Sequence, residues 1–369
     1  MTRAFVLRPR DPAPAFRTEV VVARGSLGRA AEAIAARWPD RLLVVVSDAR
    51  VARLHARAFA RRLAGGGRRV VLLTFPAGER SKTRETKARL EDSLAGSGAG
   101  RDTLIVAVGG GVTGDLAGFL AATWHRGVPV VQIPTTLLAM VDAGLGGKTG
   151  VDVPAGKNLI GAFHQPAVLW ADTDLLATLP DRDFRCGLAE AVKTAAALDA
   201  ALFRDLERDA GRLVRRQGPA VEEVVHRCLR LKARVVARDP FDAGPRAALN
   251  FGHTIAHAVE AASGWRIPHG EAVAIGVAAE SRLAVRRIGH PASDARRIEA
   301  LLQRLGLPTR APRGLDRRAV ARHARADKKT RGGVVRCALP VRLGRFPPGP
   351  DLTVPVAIRR DLIGALFAV

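Results

Sequence analysis

The hydrophobic pattern changes character about midway along the chain. In the first half, short apolar runs recur: RLLVVVSD (41–48), RRVVLLTF (68–75), TLIVAV (103–108) and VPVVQIP (128–134). Each is short and rich in β-branched residues, the pattern of a strand buried on both faces. Helical stretches such as 49–63 and 83–95 lie between them. Strands alternating with helices predict a parallel α/β layer. From about Thr178 the β pattern fades, and stretches such as 221–236 and 272–287 carry helical amphipathic spacing. A tail from Val334 returns to short strand-like pieces and Pro-rich turns (PPGPDLTVP). The expected architecture is a Rossmann-like α/β domain over residues 1–177, followed by a mostly α-helical domain over residues 178–369.

Composition narrows the class without naming a function. The 369 residues are 47% hydrophobic with a mean hydropathy of +0.05, as in a soluble globular protein. No apolar run reaches the ~18 residues that span a membrane. The first residues, MTRAFVLRPRDPAPAF, lack the continuous apolar stretch of a secretory signal. Cys186, Cys228 and Cys337 are odd in number and far apart, which points to a reducing cytoplasm and not to a disulfide framework. The net charge of +24 invites a nucleic-acid reading. The arginines are spread along the chain, however, and there is no Tyr, so stacking platforms for bases are scarce. A basic cleft for a small phosphorylated molecule needs only a few of these charges.

The eight lysines sharpen that picture: Lys82, Lys87, Lys148, Lys157, Lys193, Lys232, Lys328 and Lys329, in a chain where Lys and Arg total 59. Where composition favours Arg so heavily, a surviving Lys marks a place where a compact ammonium on a flexible stem is needed. Most of the eight fall in Gly-rich, Asn-bearing or His-bearing segments, as expected of a site for an anionic, oxygen-rich substrate.

Three groups of residues carry candidate chemistry. TLIVAV runs into GGGVTGDLAGF (109–119), where Gly109, Gly111 and Gly114 match the dinucleotide fingerprint after a strand and before a helix. The match lies on a later strand than usual, and the acid best placed for a ribose is Asp48, at the end of an earlier strand. PTTLLAMVDAGLGGKTG (134–150) and GKN (156–158) then bring Thr135, Thr136, Asp142, Lys148, Lys157 and Asn158 into one phosphate-cradle-like stretch. It is not a Walker A loop, because the spacing fails. Finally, GLAEAVK (187–193), RAALNFGHTIAHAVE (246–260) and PHGEAVAIG (268–276) carry Glu190, His253, His257 and His269. From spacing alone, His253 and His257 at i,i+4 read as paired zinc ligands, with His269 and Glu190 near them.

Taken in order, these segments resemble the 3-dehydroquinate synthase family of sugar-phosphate cyclases. The resemblance runs from SDARV (47–51) and AGERSK (77–82), through the motifs above and GKNLIGAFHQP, to ADKKTRGG (326–333). It implies an NAD-binding α/β domain, a helical metal domain and a site in the cleft between them. It assigns the metal, Zn²⁺ or Co²⁺, to Glu190, His253 and His269, and turns His257 toward the substrate. Lys148, Asn158, His257 and Lys329 (with Lys328 beside it) would line the phosphate. Lys232, Arg246 and Asn250 would handle a carboxylate and nearby hydroxyls. Asp142 and Lys193 would contact hydroxyls near the metal, and Arg126 would reach into the neighbouring subunit of a homodimer. Asp48, Glu79, Lys82, Gly111, Asp115, Thr135, Thr136, Lys148 and Lys157 would hold NAD.

The implied reaction converts 3-deoxy-arabino-heptulosonate 7-phosphate to 3-dehydroquinate plus phosphate. It proceeds by transient oxidation, phosphate elimination, re-reduction and intramolecular aldol closure. Departures from the family pattern are Arg50 for Asn, Ala143–Gly144 for Ser-Ser, Thr194 for Tyr, and Pro245 in the loop that carries Arg246. The alternatives are a related cyclase of secondary metabolism, acting on an amino analogue or on sedoheptulose 7-phosphate, and an NAD- and metal-dependent polyol dehydrogenase.

Overall fold

The computed structural model describes residues 16–326, 334–347 and 352–367. Six strands form one parallel sheet in the order β1-β8-β5-β4-β2-β3. They are β1 (Glu19–Ala23), β2 (Leu42–Asp48), β3 (Val70–Phe75), β4 (Thr103–Gly109), β5 (Val130–Pro134) and β8 (Val168–Asp172). The four strands read from the sequence are present, and β2 and β4 are buried almost throughout, as continuous apolar runs require. Strands β1 and β8 were not anticipated. They pair with each other from Glu19↔Val168 to Ala23↔Asp172, and β8 joins them to β5.

Helix α1 (Leu27–Arg37) follows β1. The helical run at 49–63 begins as α2 (Ala49–Val51), widens into a π-helical turn at Ala52–Ala56 and continues as α3 (Arg57–Leu63). Helices α4 (Arg84–Gly96) and α5 (Gly111–Thr123) precede β4 and β5. The strand order explains the displaced glycine fingerprint. From β2 the chain moves outward to β3, then returns to the other side of β2 as β4 and continues to β5. The crevice therefore opens between the carboxyl ends of β2 and β4, where open α/β sheets bind ligands. Asp48 ends one of these strands and Gly109 the other, and Ser47 Oγ donates to Val108 O across the join at 2.8 Å.

Between β5 and β8 the chain forms an antiparallel hairpin of β6 (Lys148–Val153) and β7 (Gly156–Phe163). In the sequence this segment stood out only as part of a Gly-rich, phosphate-cradle-like stretch, with no strand pattern. It is pinned to the sheet side by the Asp152 N–H, which donates to Lys82 O at 2.7 Å. After the short helical turn Thr173–Thr178 the described chain is helical up to residue 326. The helices are α6 (Asp181–Leu198), α7 (Ala200–Val214), α8 (Gly218–Arg238), α9 (His253–Ala262), α10 (His269–Ile288), α11 (Ala292–Arg304) and α12 (Arg317–Ala326). The hairpin of β9 (Val335–Ala338) and β10 (Thr353–Val356) covers one side, as the tail sequence had indicated.

Helix α10 runs through the helical core, and its neighbours approach it almost backbone to backbone. A Cβ on Gly276 would lie 2.0 Å from Gly252 O, and one on Gly270 would lie 2.3 Å from the Cα of Cys186. The carboxylate of Glu280, fully buried on α10, accepts the Gly252 N–H at 2.7 Å and the Ile255 N–H at 3.2 Å. It thus caps α9 from a neighbouring helix, satisfying donors that the helix start leaves open. Gly276→Ala is expected to cost about 1–3 kcal/mol by overpacking. Gly96→Ala, where a Cβ meets nothing within 4 Å, should be neutral or stabilising by about 0.4–1 kcal/mol. Denaturant unfolding of the two variants checks the contrast.

Candidate active site

The carboxyl ends of β2, β4 and β5 open into a cavity of about 910 Å³. Asp48 caps the helix after β2, with Oδ1 accepting the N–H groups of Arg50 and Val51 at 2.9 and 3.0 Å. Helix α5 starts at Gly111 with no side-chain cap, so bare backbone faces the cavity. Thr135 is buried on the rim, and its Oγ1 has no hydrogen-bond partner among the described residues. An uncapped helix start, an acid at a strand end and an orphaned hydroxyl fit a dinucleotide: pyrophosphate on the helix, ribose on the acid. Glu79, Lys82, Gly111, Asp115, Thr136 and Lys157 line the same cavity. Lys82 Nζ bonds both Asp115 and the amide oxygen of Asn158. Burial opposes charge on Lys82, but Asp115, Glu79 and Asp152 outweigh it and raise its pKa.

A second cavity, of about 880 Å³, lies against the helical part. The two share Asp115, Asn158, His257 and His269 on their linings, so they meet at one place. There Glu190 from α6, His253 from the start of α9 and His269 from the start of α10 bring one ligand atom each within 4.8 Å of one another. Glu190 Oε1 lies 3.5 Å from His253 Nε2 and 3.2 Å from His269 Nε2. The His253–His257 pair read from spacing alone is not the cluster the fold assembles; His269, from the next helix, takes the place given to His257. The ring of His257 stands edge-on to His253 at 5.5 Å between centroids and faces both cavities. One carboxylate and two imidazoles, converging on a shared point with open space beside them, suit a divalent ion that keeps positions for substrate.

Buried charge surrounds this cluster. Lys193 Nζ lies 2.7 Å from Glu190 and 2.9 Å from Asp142, and Lys232 also donates to Asp142. Burial would raise Asp142, but Lys193 and Lys232 outweigh it and hold its pKa at about 2. Burial likewise opposes ionisation of Glu190, yet Lys193 and His253 keep it well below the ordinary carboxylate value. His269 Nδ1 bonds Glu260 Oε2 at 3.1 Å. Without a metal, the carboxylates of Glu190 and Glu260 outweigh burial and push His269 up to about 10. A carboxylate behind a ligating imidazole fixes which nitrogen faces the metal.

The remaining expected residues separate by position. Arg246 is buried and donates to Pro240 O at 2.9 Å and Gly146 O at 3.0 Å. Gly146 must be glycine: its φ is +105°, and a Cβ there would fall 2.4 Å from the guanidinium. Asp239 holds the loop around Pro245 by accepting from the N–H groups of Ala243, Gly244 and Arg246. Lys148, Lys232, Arg246 and Asn250 all line the second cavity, whereas Lys148, expected at the cofactor as well, does not line the first. Arg126 is exposed and lines neither cavity. Lys328 and Lys329 lie outside the described residues. Sequence reasoning missed Asp242, which pairs with Lys148, and Glu260, which backs His269. It also missed Arg336, which lines the second cavity from β9. The position of Glu260 one helical turn after His257 was the available signal.

The chain matches the family model for the 3-dehydroquinate synthase N-terminal region over residues 72–186 and the model for the C-terminal region over residues 187–330. The chain belongs to the 3-dehydroquinate synthase family. A 3-dehydroquinate synthase from Pelobacter propionicus is 47% identical over 295 residues, which cover 80% of this chain and 82% of the relative. Among solved structures, a 2-epi-5-epi-valiolone synthase from Streptomyces hygroscopicus, with NAD⁺ and Zn²⁺ bound, superposes with a TM-score of 0.85. It is 32% identical, with 99% of this chain and 98% of that one covered. A 2-deoxy-scyllo-inosose synthase complexed with carbaglucose-6-phosphate, NAD⁺ and Co²⁺ gives 0.84 at 28% identity, with 94% and 95% covered. This family member is an enzyme, and its fold is that of the sugar-phosphate cyclases.

The metal assignment can be tested by titrating chelator-treated protein with Zn²⁺ in a calorimeter. Glu190→Gln and His269→Ala should each abolish measurable binding. Glu260→Gln should weaken it about 10–100-fold, as loss of an outer carboxylate does. His257→Ala should leave it unchanged; a loss there equal to that of His269→Ala would restore the i,i+4 pair.

Proposed function

We propose that the chain is a 3-dehydroquinate synthase, an NAD- and divalent-metal-dependent phosphorus–oxygen lyase acting on 3-deoxy-arabino-heptulosonate 7-phosphate. The observation that carries this reading is the meeting of the two cavities. The cavity at the start of α5 and a second one lined by both basic and acidic side chains share His257 and His269 beside the Glu190–His253–His269 cluster. Lys148, Lys232, Arg246 and Arg336 line the second cavity beside Asp115, Asp142, Glu190 and Asp242, and four strong bases are more than a neutral polyol requires.

When bound, NAD⁺ supplies a reversible hydride acceptor and the divalent ion polarises substrate hydroxyls. The residues of the chain hold the substrate in one pose against both. Lys232, Arg246 and Asn250 form the carboxylate and hydroxyl end. Lys148, Asn158 and His257 face the phosphate, and the family pattern assigns Lys329, outside the described residues, to the same group. Asp142 stays ionised between Lys193 and Lys232, as a fixed acceptor for a substrate hydroxyl proton. Fixed charges and a single bound conformation supply most of the acceleration in such a site. Asp48, Glu79, Lys82, Gly111, Asp115, Thr135, Thr136 and Lys157 are assigned to NAD.

The same reading places the division between the two domains at residues 177 and 178, at the end of the turn Thr173–Thr178 that links β8 to α6. It makes the enzyme a homodimer, with Arg126 offered to the neighbouring subunit from a turn in which His125 and Arg126 have φ of 47° and 67°. It also places the enzyme in the cytoplasm, where Cys186, Cys228 and Cys337, all buried and none in a disulfide, stay reduced. No helix among the described residues is long and apolar enough to cross a membrane.

Purified protein with catalytic NAD⁺ and Zn²⁺ or Co²⁺ should release phosphate from the heptulosonate phosphate without accumulating NADH, and chelation should stop it. Turnover of an amino analogue or of sedoheptulose 7-phosphate instead would move the enzyme to secondary metabolism. Build-up of NADH with a polyol would make it a dehydrogenase. In the synthase, Lys232→Met should lower kcat/KM about 10²-fold, the usual scale for truncating one partner of a buried charge pair.

A further inference from the structure

Trp265 occupies a position that its own backbone disfavours. Helix α9 ends with the Gly264 N–H donating to Ala261 O and the Trp265 N–H donating to Glu260 O at 2.9 Å. That closure puts two consecutive residues in the left-handed region, Gly264 at φ +61° and Trp265 at φ +62°. Glycine adopts it freely, whereas a bulky residue there is strained and persists only where the surroundings require it. Packing is not what requires it. Trp265 is 49% exposed and belongs to neither hydrophobic core.

What the ring does touch is an ammonium. Lys157 Nζ lies 4.1 Å from the centroid of the Trp265 ring, within cation–π range. The same nitrogen is 3.4 Å from Glu79 and 3.5 Å from Glu260, so it is held among three elements: the turn after β3, α9 and the strained residue beyond it. Lys157 comes from the hairpin, just after Gly156, and both it and Trp265 line the dinucleotide cavity. Two carboxylates alone would draw the flexible stem onto whichever was nearer. The indole face closes the third side of the cage.

We propose that Trp265 is a positioning residue: its ring holds the Lys157 ammonium at the mouth of the first cavity, poised for an anionic group of the dinucleotide. The inference rests on the NAD reading of that cavity, and two readouts on the full, metal-loaded protein separate them. One is the rate at which Lys157 is acetylated by a mild amine reagent, followed by peptide mass spectrometry with no nucleotide present. The other is the Kd for NAD⁺. Trp265→Gly, which suits the left-handed backbone, should leave the Tm unchanged or higher. It should speed Lys157 labelling and weaken NAD⁺ binding, each about fivefold, the scale of one partly desolvated cation–π contact. Trp265→Phe should restore both. In a Lys157→Met background, Trp265→Gly should have no further effect on NAD⁺.

Wild-type labelling and affinity in Trp265→Gly would overturn the proposal. So would a drop in Tm with both effects shared by Trp265→Phe, because the ring would then be structural. A further loss in the double variant would mean that the ring contacts the nucleotide directly and does not act through Lys157. If the wild type fails to bind NAD⁺, the cofactor reading falls, and the labelling alone decides whether Trp265 holds Lys157.

Discussion

A single buried ammonium, Lys193, ties the sheet half of the molecule to the helical half. It is 1% exposed, sits on α6, and lies between Glu190 one turn away and Asp142 on the turn after β5. Desolvating one charge is costly, and desolvating two like charges without a partner would be more so. Lys193 is the cation the two carboxylates share, and with Lys232 at Asp142 and His253 at Glu190 it keeps both ionised despite their burial. Remove that charge and the two carboxylates lose the one cation they share, Asp142 keeping Lys232 and Glu190 keeping the histidines.

The sheet supplies the other constraint. Because its order reverses between β2 and β4, the crevice lies between Asp48 and Gly109, with α5 starting directly beyond it. The hairpin β6–β7 follows β5, lines both cavities, and meets the loop after α8 and the helix α9. Lys148 meets Asp242, the ring of Phe163 meets Phe241 edge-on at 5.5 Å, and Lys157 meets Glu260. One short antiparallel element therefore borders both cavities and supplies basic groups to each.

Much of this was legible in the sequence, and the exceptions have physical causes. Strands β2, β4 and β5 are buried on both faces and announce themselves as unbroken apolar runs. Strand β1 (EVVVA) has an exposed start and half-buried residues, and β8 (VLWAD) is five residues with an acid at the end, so neither carries a strong period. The hairpin was hidden because glycine is needed where its strands touch: a Cβ on Gly161 would lie 1.9 Å from Thr149 O. At the metal, local spacing favoured His257 because i,i+4 places two rings on one helix face. The choice of His269 depends on how α10 packs on α9, which no local pattern encodes; the order of motifs along the chain supplied it instead. Asp242, Glu260 and Trp265 were passed over because their importance lies in what reaches them from distant segments.

His253 and His269 each stand at the first residue of a helix, and those helices touch through Gly252 and Gly276 with almost no side chain between them. The separation of the two imidazoles is therefore set by main chain against main chain. Substitution on the outer faces of α9 and α10 has little leverage on that distance. A chain can then drift far in surface composition, exchanging nearly every lysine for arginine, while the geometry at its centre stays insulated from the drift.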